Sequence, residues 1–354
     1  MNDFSEKYAF FASANGGDGF KSYFDSVFDS KKFTKVFVLK GGPGTGKSTF
    51  MKKIAAIAEK SGLKYEIYRC SSDAKSLDGV IVKNKDASVA ILDGTAPHIR
   101  DATIPGAVDE LIDLGAAWDT SLLESERHRI EELNLKKHNH YKKAYEYLSY
   151  SSIFATNIQA ELKTSLDHAQ IDYVCRRILD SLSDIVSGRC DIKLISSFSK
   201  DGYVRLDTLN NASKTIYSIF GEWGEDMMFL SHLAKTAFEC GVKFTKFPSP
   251  FNESFTEAIF FEEAGVCYIA DNSGHVAYDA SDFIRWDNRK DSENRFSIMR
   301  GSIGTYRSLA QEELSFASDY HFLLEEIYSK AVDFDKVDKI YEITLKKIES
   351  ALHL

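Results

Sequence analysis

Apolar residues recur along the chain with changing period, and the changes mark the elements. Phe20, Tyr23, Phe24, Val27 and Phe28 stand at i, i+3, i+4, i+7 and i+8, which predicts an amphipathic helix. Val36-Phe37-Val38-Leu39 is a short continuous apolar run and predicts a buried strand. From Ser48 to Lys60 the helical period returns, with Phe50, Met51, Ile54, Ala55 and Ala58 on one face. Gly62 then stands where a left-handed C-terminal cap is expected. Lys64 to Cys70 reads as a second strand and Ser88 to Leu92 as a third. Strand, helix and strand in this order predict an α/β fold on a parallel sheet flanked by helices.

Between Ala116 and Ser187 there is neither glycine nor proline. Helix formers fill this stretch, with Leu122, Leu123, Ile130, Leu133, Tyr141, Tyr145, Leu148, Ile171, Val174, Ile178 and Leu182 as core positions. Two or three long helices, a helical insertion, are predicted here. The same composition returns after Gly304 and runs to Leu354. That recurrence points to an internal repeat. At a shift of 179, Gly42 falls on Gly221, Phe50 on Phe229, Ala55 on Ala234, Ala58 on Ala237, Gly62 on Gly241 and Lys64 on Lys243. With one deletion, Ile91-Leu92-Asp93 falls on Ile269-Ala270-Asp271. The predicted division is residues 1–187, with the insertion at about 116–187, and residues 188–354, with C-terminal helices from about 305.

A chain of 354 residues exceeds what one hydrophobic core usually serves, which agrees with two lobes. Its 53 acidic and 44 basic residues give a net charge of -9, which argues against nucleic acid as the main partner. Five scattered cysteines without a Cys-x-x-Cys pair make neither a disulfide framework nor a zinc site. Met1 to Lys7 begins acidic and lacks the apolar run of a signal peptide, and no stretch approaches the ~20 apolar residues that span a bilayer. A cytoplasmic protein without a membrane partner is expected.

The chemistry concentrates in Gly41-Gly42-Pro43-Gly44-Thr45-Gly46-Lys47-Ser48, followed by Thr49. This is G-x-x-x-x-G-K-[S/T] directly after a predicted strand and directly before a predicted helix, the context that makes a phosphate-binding loop (P-loop, or Walker A). Glycines at 42, 44 and 46 allow backbone conformations that turn successive N–H groups inward as an anion nest at a helix N-terminus. Lys47 supplies a positive charge for the β- and γ-phosphates, and Ser48 offers a hydroxyl to Mg²⁺. The expected ligand is ATP or GTP with Mg²⁺.

Val89-Ala90-Ile91-Leu92-Asp93 has the form of a Walker B strand, with Asp93 holding Mg²⁺ through water; the competing role for Asp93 is to cap the Asp-Gly turn. Thr95 and His98 follow and are candidates to sense the γ-phosphate or position water. Cys70-Ser71-Ser72-Asp73 lies just past the second strand, so Asp73 and Asp78 fall near the carboxyl ends of strands, where ligands bind in open sheets. Asp73 is the stronger of the two as a catalytic candidate. At the loop position of the second half the chain reads Gly221-Glu222-Trp223-Gly224-Glu225-Asp226-Met227-Met228. Asp226 replaces the lysine and Met227 the hydroxyl, and carboxylates there repel a polyphosphate. Lys136 to Lys143 is locally basic but reads as a solvated helix face. Arg100, Arg285 and Arg289 are weak candidates for an arginine finger.

Phe11-Ala12-Ser13-Ala14-Asn15, the loop with Leu39-Lys40 before it and Thr49 after it, Cys70 to Asp73 with Ser76-Leu77-Asp78-Gly79-Val80, and Ile91 to His98 resemble an uncharacterised family of tandem P-loop ATPases. That family is similar in length and occurs mainly in Gram-positive bacteria. The resemblance covers most of the first half and the second only in outline. It implies ATP binding and hydrolysis, and it names no substrate. In the family both halves can carry a glycine-rich loop; Glu222 to Met228 depart from that pattern.

Two functions from different classes follow. In the first, Lys47, Ser48 and Asp93 assemble ATP and Mg²⁺ in an ATPase or nucleotide-driven switch whose helical segments report to a protein partner. In the second, the chain is a small-molecule or nucleotide kinase: residues 116–187, with Arg127, Arg129, Arg176 and Arg177, close as a lid, and Asp73 binds the acceptor.

Overall fold

In chain order the first half contains β1 (Ala9–Phe11), the hairpin β2 (Ser13–Gly16) and β3 (Gly19–Ser22), α1 (Phe24–Val27), β4 (Lys35–Lys40), α2 (Lys47–Lys60), β5 (Lys64–Arg69), β6 (Leu77–Lys83), β7 (Ser88–Asp93), β8 (Asp109–Asp113), α3 (Thr120–Ser125), α4 (Arg127–Ser165) and α5 (His168–Ser181). The second half contains β9 (Cys190–Ile192), the hairpin β10 (Ser196–Ser199) and β11 (Gly202–Arg205), α6 (Thr208–Ala212), β12 (Thr215–Phe220), α7 (Glu225–Glu239), β13 (Phe244–Pro248), β14 (Thr256–Phe261), β15 (Val266–Ala270), β16 (Val276–Asp279), α8 (Arg289–Lys330) and α9 (Phe334–Ala351). The structure is a computed structural model; it describes residues 8–182, 186–271, 276–285 and 289–353, without the side chains of Val276, Ala277 and Arg289. The N-terminal stretch Met1 to Lys7 lies outside the described residues.

Each half builds a six-stranded sheet, in the orders β1-β5-β6-β7-β4-β8 and β9-β13-β14-β15-β12-β16. The senses of pairing match as well. β1 and β5 are parallel, β7, β4 and β8 are parallel, and β6 is antiparallel to both of its neighbours. In the second sheet β14 is the antiparallel strand, between β13 and β15. The sheets are therefore mixed, where the sequence predicted a parallel one. The reason is β6: residues 70–76 are too few for the crossover of a dozen or more residues that parallel neighbours require.

The helix predicted over Phe20 to Phe28 is also corrected. Phe20 belongs to β3, and only Phe24–Val27 makes one helical turn. The C-terminal helices begin earlier than predicted: α8 runs through Gly301 and Gly304, both facing open space. Each glycine costs about 1 kcal/mol relative to alanine, which tertiary packing overrides.

Four layers result. One face of each sheet meets the other in a shared core that includes Phe10, Phe28, Val36, Tyr68 and Leu92 from the first half with Phe247, Phe260, Cys267 and Ile269 from the second. The outer face of the first sheet is covered by α2 and α9, with Phe50, Met51, Ile54, Val337, Tyr341 and Ile348 in one cluster. The outer face of the second sheet is covered by α7 and α5, with Phe229, Leu233, Ile171, Cys175 and Ile178. The last helix of each half thus packs on the sheet of the other half. The long helices α4 and α8 carry the chain across, lying antiparallel: His140 Nδ1 meets Glu313 at 2.6 Å, Arg307 donates to Ser151 at 3.2 Å and Ser292 to Glu161 at 2.7 Å. The basic stretch lies on this arm, with Lys136 and Lys143 paired to Glu132 and Glu313. Among the described residues, no helix is long and apolar enough to cross a membrane.

Candidate functional site

The loop between β4 and α2 is shaped by two left-handed glycines, Gly44 at φ 73° and Gly46 at φ 81°. An L side chain is strained in that region, so both positions require glycine. Thr45 Oγ1 closes the turn by donating to the Gly42 carbonyl at 2.9 Å. Lys47 folds back over the loop: its Nζ donates to the carbonyls of Gly41 and Gly42, both at 2.8 Å, and lies 3.5 Å from Asp93 Oδ2. Lys47 is buried, and the first turn of α2 carries no acidic residue. The helix therefore brings no carboxylate of its own to its positive end, which favours an anion there.

Ser48 Oγ accepts the Leu77 N–H at 2.9 Å, which fixes the start of β6 against the loop and leaves the hydroxyl a second lone pair. Thr49 is exposed on the first turn of α2, and Pro43 is half-buried on the loop. Asp93 takes the competing role of capping the Asp-Gly turn, and its second oxygen faces the loop lysine. Its Oδ1 accepts the N–H of Thr95 at 2.9 Å and the Thr95 hydroxyl at 2.5 Å, while Oδ2 faces Lys47. Burial pushes the Asp93 carboxyl up, Lys47 and Thr95 pull it back, and the Asp78 charge raises it further.

Asp73 caps its own turn, accepting the Lys75 N–H at 3.1 Å, as a turn carboxylate does. Asp78, the weaker sequence candidate, is buried at the start of β6 with His98 Nε2 3.1 Å from its Oδ2. His98 is stacked on Phe24, with ring centroids 4.3 Å apart. Burial and the neighbouring Asp78 push the Cys70 thiol well up, so it is no activated nucleophile. Arg100 is a buried strut, donating to Asp25, the Phe28 carbonyl and Ser30. Arg285 pairs with Asp167, and the Arg289 side chain lies outside the described residues. Of the kinase-lid arginines, Arg127 pairs with Glu131 and Arg129 with Glu126 along the helix, while Arg176 and Arg177 lie exposed on α5.

The second half supplies residues around the loop that no sequence pattern indicated. A Cβ at Gly42 would meet the Tyr328 ring at 3.1 Å and, from the first half, Trp118 at 3.2 Å; one at Gly44 would lie 3.0 Å from the Glu325 backbone oxygen. Tyr341 on α9 stacks on Phe50 at 4.0 Å and donates to the Thr45 carbonyl at 3.3 Å. A hydrogen bond with His321 lowers the Glu325 carboxyl, and Lys47 is near enough to lower it too. Two grooves of about 410 and 430 Å³ lie elsewhere, one beside Lys35 and Lys347 and one between Asp18 and Asn157; neither is lined by the loop.

The loop of the second half is shaped similarly and filled differently. Gly224, at φ 100°, precedes α7 as Gly46 precedes α2. The strands β4 and β12 are 180 residues apart and the buried helix faces 179 apart, so one residue is lost between them. Counted from the buried helix faces, Asp226 stands in the place of Lys47; counted from the cap glycines, Glu225 does and Asp226 matches Ser48. Glu225 enters the cap, where its carboxylate accepts the N–H groups of Glu222 at 3.1 Å and Trp223 at 2.6 Å. Inward-facing amides that would bind a phosphate are thus occupied by an internal anion. Burial, together with Glu225 and Glu257, pushes the Asp226 carboxyl up to about 7.

Comparison of the chain with protein-family models, curated proteins and solved structures gives no match, so the functional reading rests on the geometry of this loop.

Proposed function

We propose that this chain is a Mg²⁺-dependent nucleoside-triphosphate hydrolase or nucleotide-driven switch that uses the loop Gly41 to Ser48 alone. One observation carries the reading. Lys47 Nζ is held 2.8 Å from two loop carbonyls and 3.5 Å from Asp93, at the N-terminus of a helix whose first turn has no acidic residue. The loop N–H groups and Lys47 would hold the β- and γ-phosphates. Ser48 and Asp93 fit Mg²⁺, a hard cation that takes oxygen ligands and keeps several waters. Bound there, Mg²⁺ would neutralise charge developing on the phosphates. The raised Asp93 carboxyl fits a site prepared for a cation, since a buried carboxylate is stabilised by added positive charge.

The matching strand orders support reading the halves as copies of one P-loop unit, in agreement with the resemblance to tandem P-loop ATPases. In the second copy Glu225 and Asp226 stand where phosphates would sit, so one nucleotide per chain is expected. The kinase reading has less support, because Arg127 and Arg129 are paired within their own segment and Asp73 is engaged in its own turn. Calorimetric titration with Mg-ATP tests the proposal. Wild type is expected to bind one equivalent and Lys47→Ala to lose affinity at least a hundredfold; equal affinity of the two would refute it.

A further inference from the structure

Both sheets are interrupted at the same place. Along β5 and β6, Tyr68 pairs with Gly79 and the next pair is Arg69 with Leu77, so Asp78 is an extra residue in the ladder. Along β13 and β14, Phe247 pairs with Ala258 and then Pro248 with Thr256, so Glu257 is the extra residue there. A bulge re-aims the side chain of the extra residue and occurs preferentially next to active sites. In both halves that residue is a buried carboxylate.

The two carboxylates differ in what they meet. Glu257 is saturated: Ser196 donates to it at 2.5 Å and Tyr203 at 3.0 Å, and Ser249 adds a third hydroxyl. Asp78, only 5% exposed, has no hydrogen-bond partner for Oδ2; the His98 ring stands beside it, with Nε2 3.1 Å away. The far nitrogen of His98, Nδ1, also has no partner. The β6–β7 ladder ends at Gly79 opposite Leu92, and one further step sets Asp78 level with Asp93. The Asp78 charge reaches Asp93 and raises its carboxyl. Leu77, next to Asp78, is the residue tied to Ser48.

Resting on the proposed hydrolase reading, we propose that Asp78 is the general base of the reaction and His98 the residue that positions it. The oxygen of a water bonds to the γ-phosphorus as the bond from that phosphorus to the β–γ bridging oxygen breaks. The water's proton passes to the Asp78 carboxylate, and the bridging electron pair leaves with the nucleoside diphosphate. His98, stacked on Phe24 with Nε2 3.1 Å from Oδ2, holds the carboxylate in place.

Asp78→Asn keeps the shape and removes the base. It is expected to bind Mg-ATP within about threefold of wild type while single-turnover hydrolysis falls at least a hundredfold. Asp78→Glu should restore part of that rate. His98→Gln should lower kcat about tenfold with little change in KM. Hydrolysis by Asp78→Asn within threefold of wild type overturns the assignment alone. A matching loss of Mg-ATP affinity overturns it too, because Asp78 would then be a metal ligand. Wild type that binds Mg-ATP without turnover also removes the assignment. Wild type that binds no nucleotide removes the hydrolase reading and this assignment together.

Discussion

Replacing Asp226 by asparagine should stabilise the chain, and more so as pH rises. In the folded chain this carboxyl is pushed up to about 7 from an ordinary 3.8, through burial and the charges of Glu225 and Glu257. A carboxyl raised by folding contributes stability in full below its unfolded value. That contribution is lost as pH climbs toward the folded value, at about 1.4 kcal/mol per pH unit. Between pH 5 and pH 8 the loss has a ceiling of roughly 2.5 kcal/mol, most of it below pH 7. Asparagine does not titrate, and its side-chain oxygen can still accept the Met227 N–H that Asp226 accepts at 2.7 Å. Urea unfolding of both proteins at pH 5 and pH 8 measures the difference directly. The advantage of Asp226→Asn at pH 8 should exceed that at pH 5 by up to about 2.5 kcal/mol, or on the order of 3 °C in Tm for a chain of this size. An advantage independent of pH, or a loss at pH 8, would refute the placement of an uncompensated carboxylate in the second loop.

Three further outcomes are expected, beside the Asp78 series. Lys47→Ala should abolish triphosphate binding while leaving the melting temperature of the nucleotide-free chain within a few degrees, read by calorimetry and thermal unfolding on one preparation. Tyr341→Ala removes an aromatic ring stacked on Phe50 and should lower stability by about 3–5 kcal/mol, whereas Tyr341→Phe should cost less than about 1.5 kcal/mol; denaturant titration separates them. Burial alone would raise the Glu66 carboxyl, but Lys193 and Lys83 hold it down to about 2. Stability from that pairing is present above its ordinary 4.5 and fades as pH falls toward 2. Lys193→Met should therefore cost about 2 kcal/mol at pH 7 and far less at pH 3 in urea unfolding.

The loop and the strand and helix around it were legible because their signals are local: period, glycine spacing and a lysine at a fixed offset. The likeness of the two halves was legible at helix positions such as Phe50 and Phe229, Ala55 and Ala234, because both members of each pair are buried. β6 escaped notice because its first residues, Leu77-Asp78-Gly79, look like a turn. Gly79 is in fact required, since the Phe28 ring lies where its Cβ would be, at 2.3 Å. Phe20 was misplaced because a hairpin residue and a single helical turn together imitated one helical stripe. Nothing in the sequence says which sheet an amphipathic helix will cover, so Glu325, Tyr328 and Tyr341 could not be assigned to the loop. The sequence favours Asp73 over Asp78 because a bulge is a property of pairing, which a single strand does not display.

The exchange of α5 and α9 sets the order in which the protein can mature. Thr45 and Tyr341, which meet at the Gly41 to Ser48 loop, are separated by 296 residues. Such a contact waits on one of the largest loop closures the chain can make, and closures of this kind slow folding. During synthesis from the N-terminus, the first sheet emerges long before the helix that seals its outer face. The loop's α9 cover can therefore be added only after nearly the whole chain has been made. A ribosome stalled before residue 334 would display a complete Gly41 to Ser48 segment without its α9 cover.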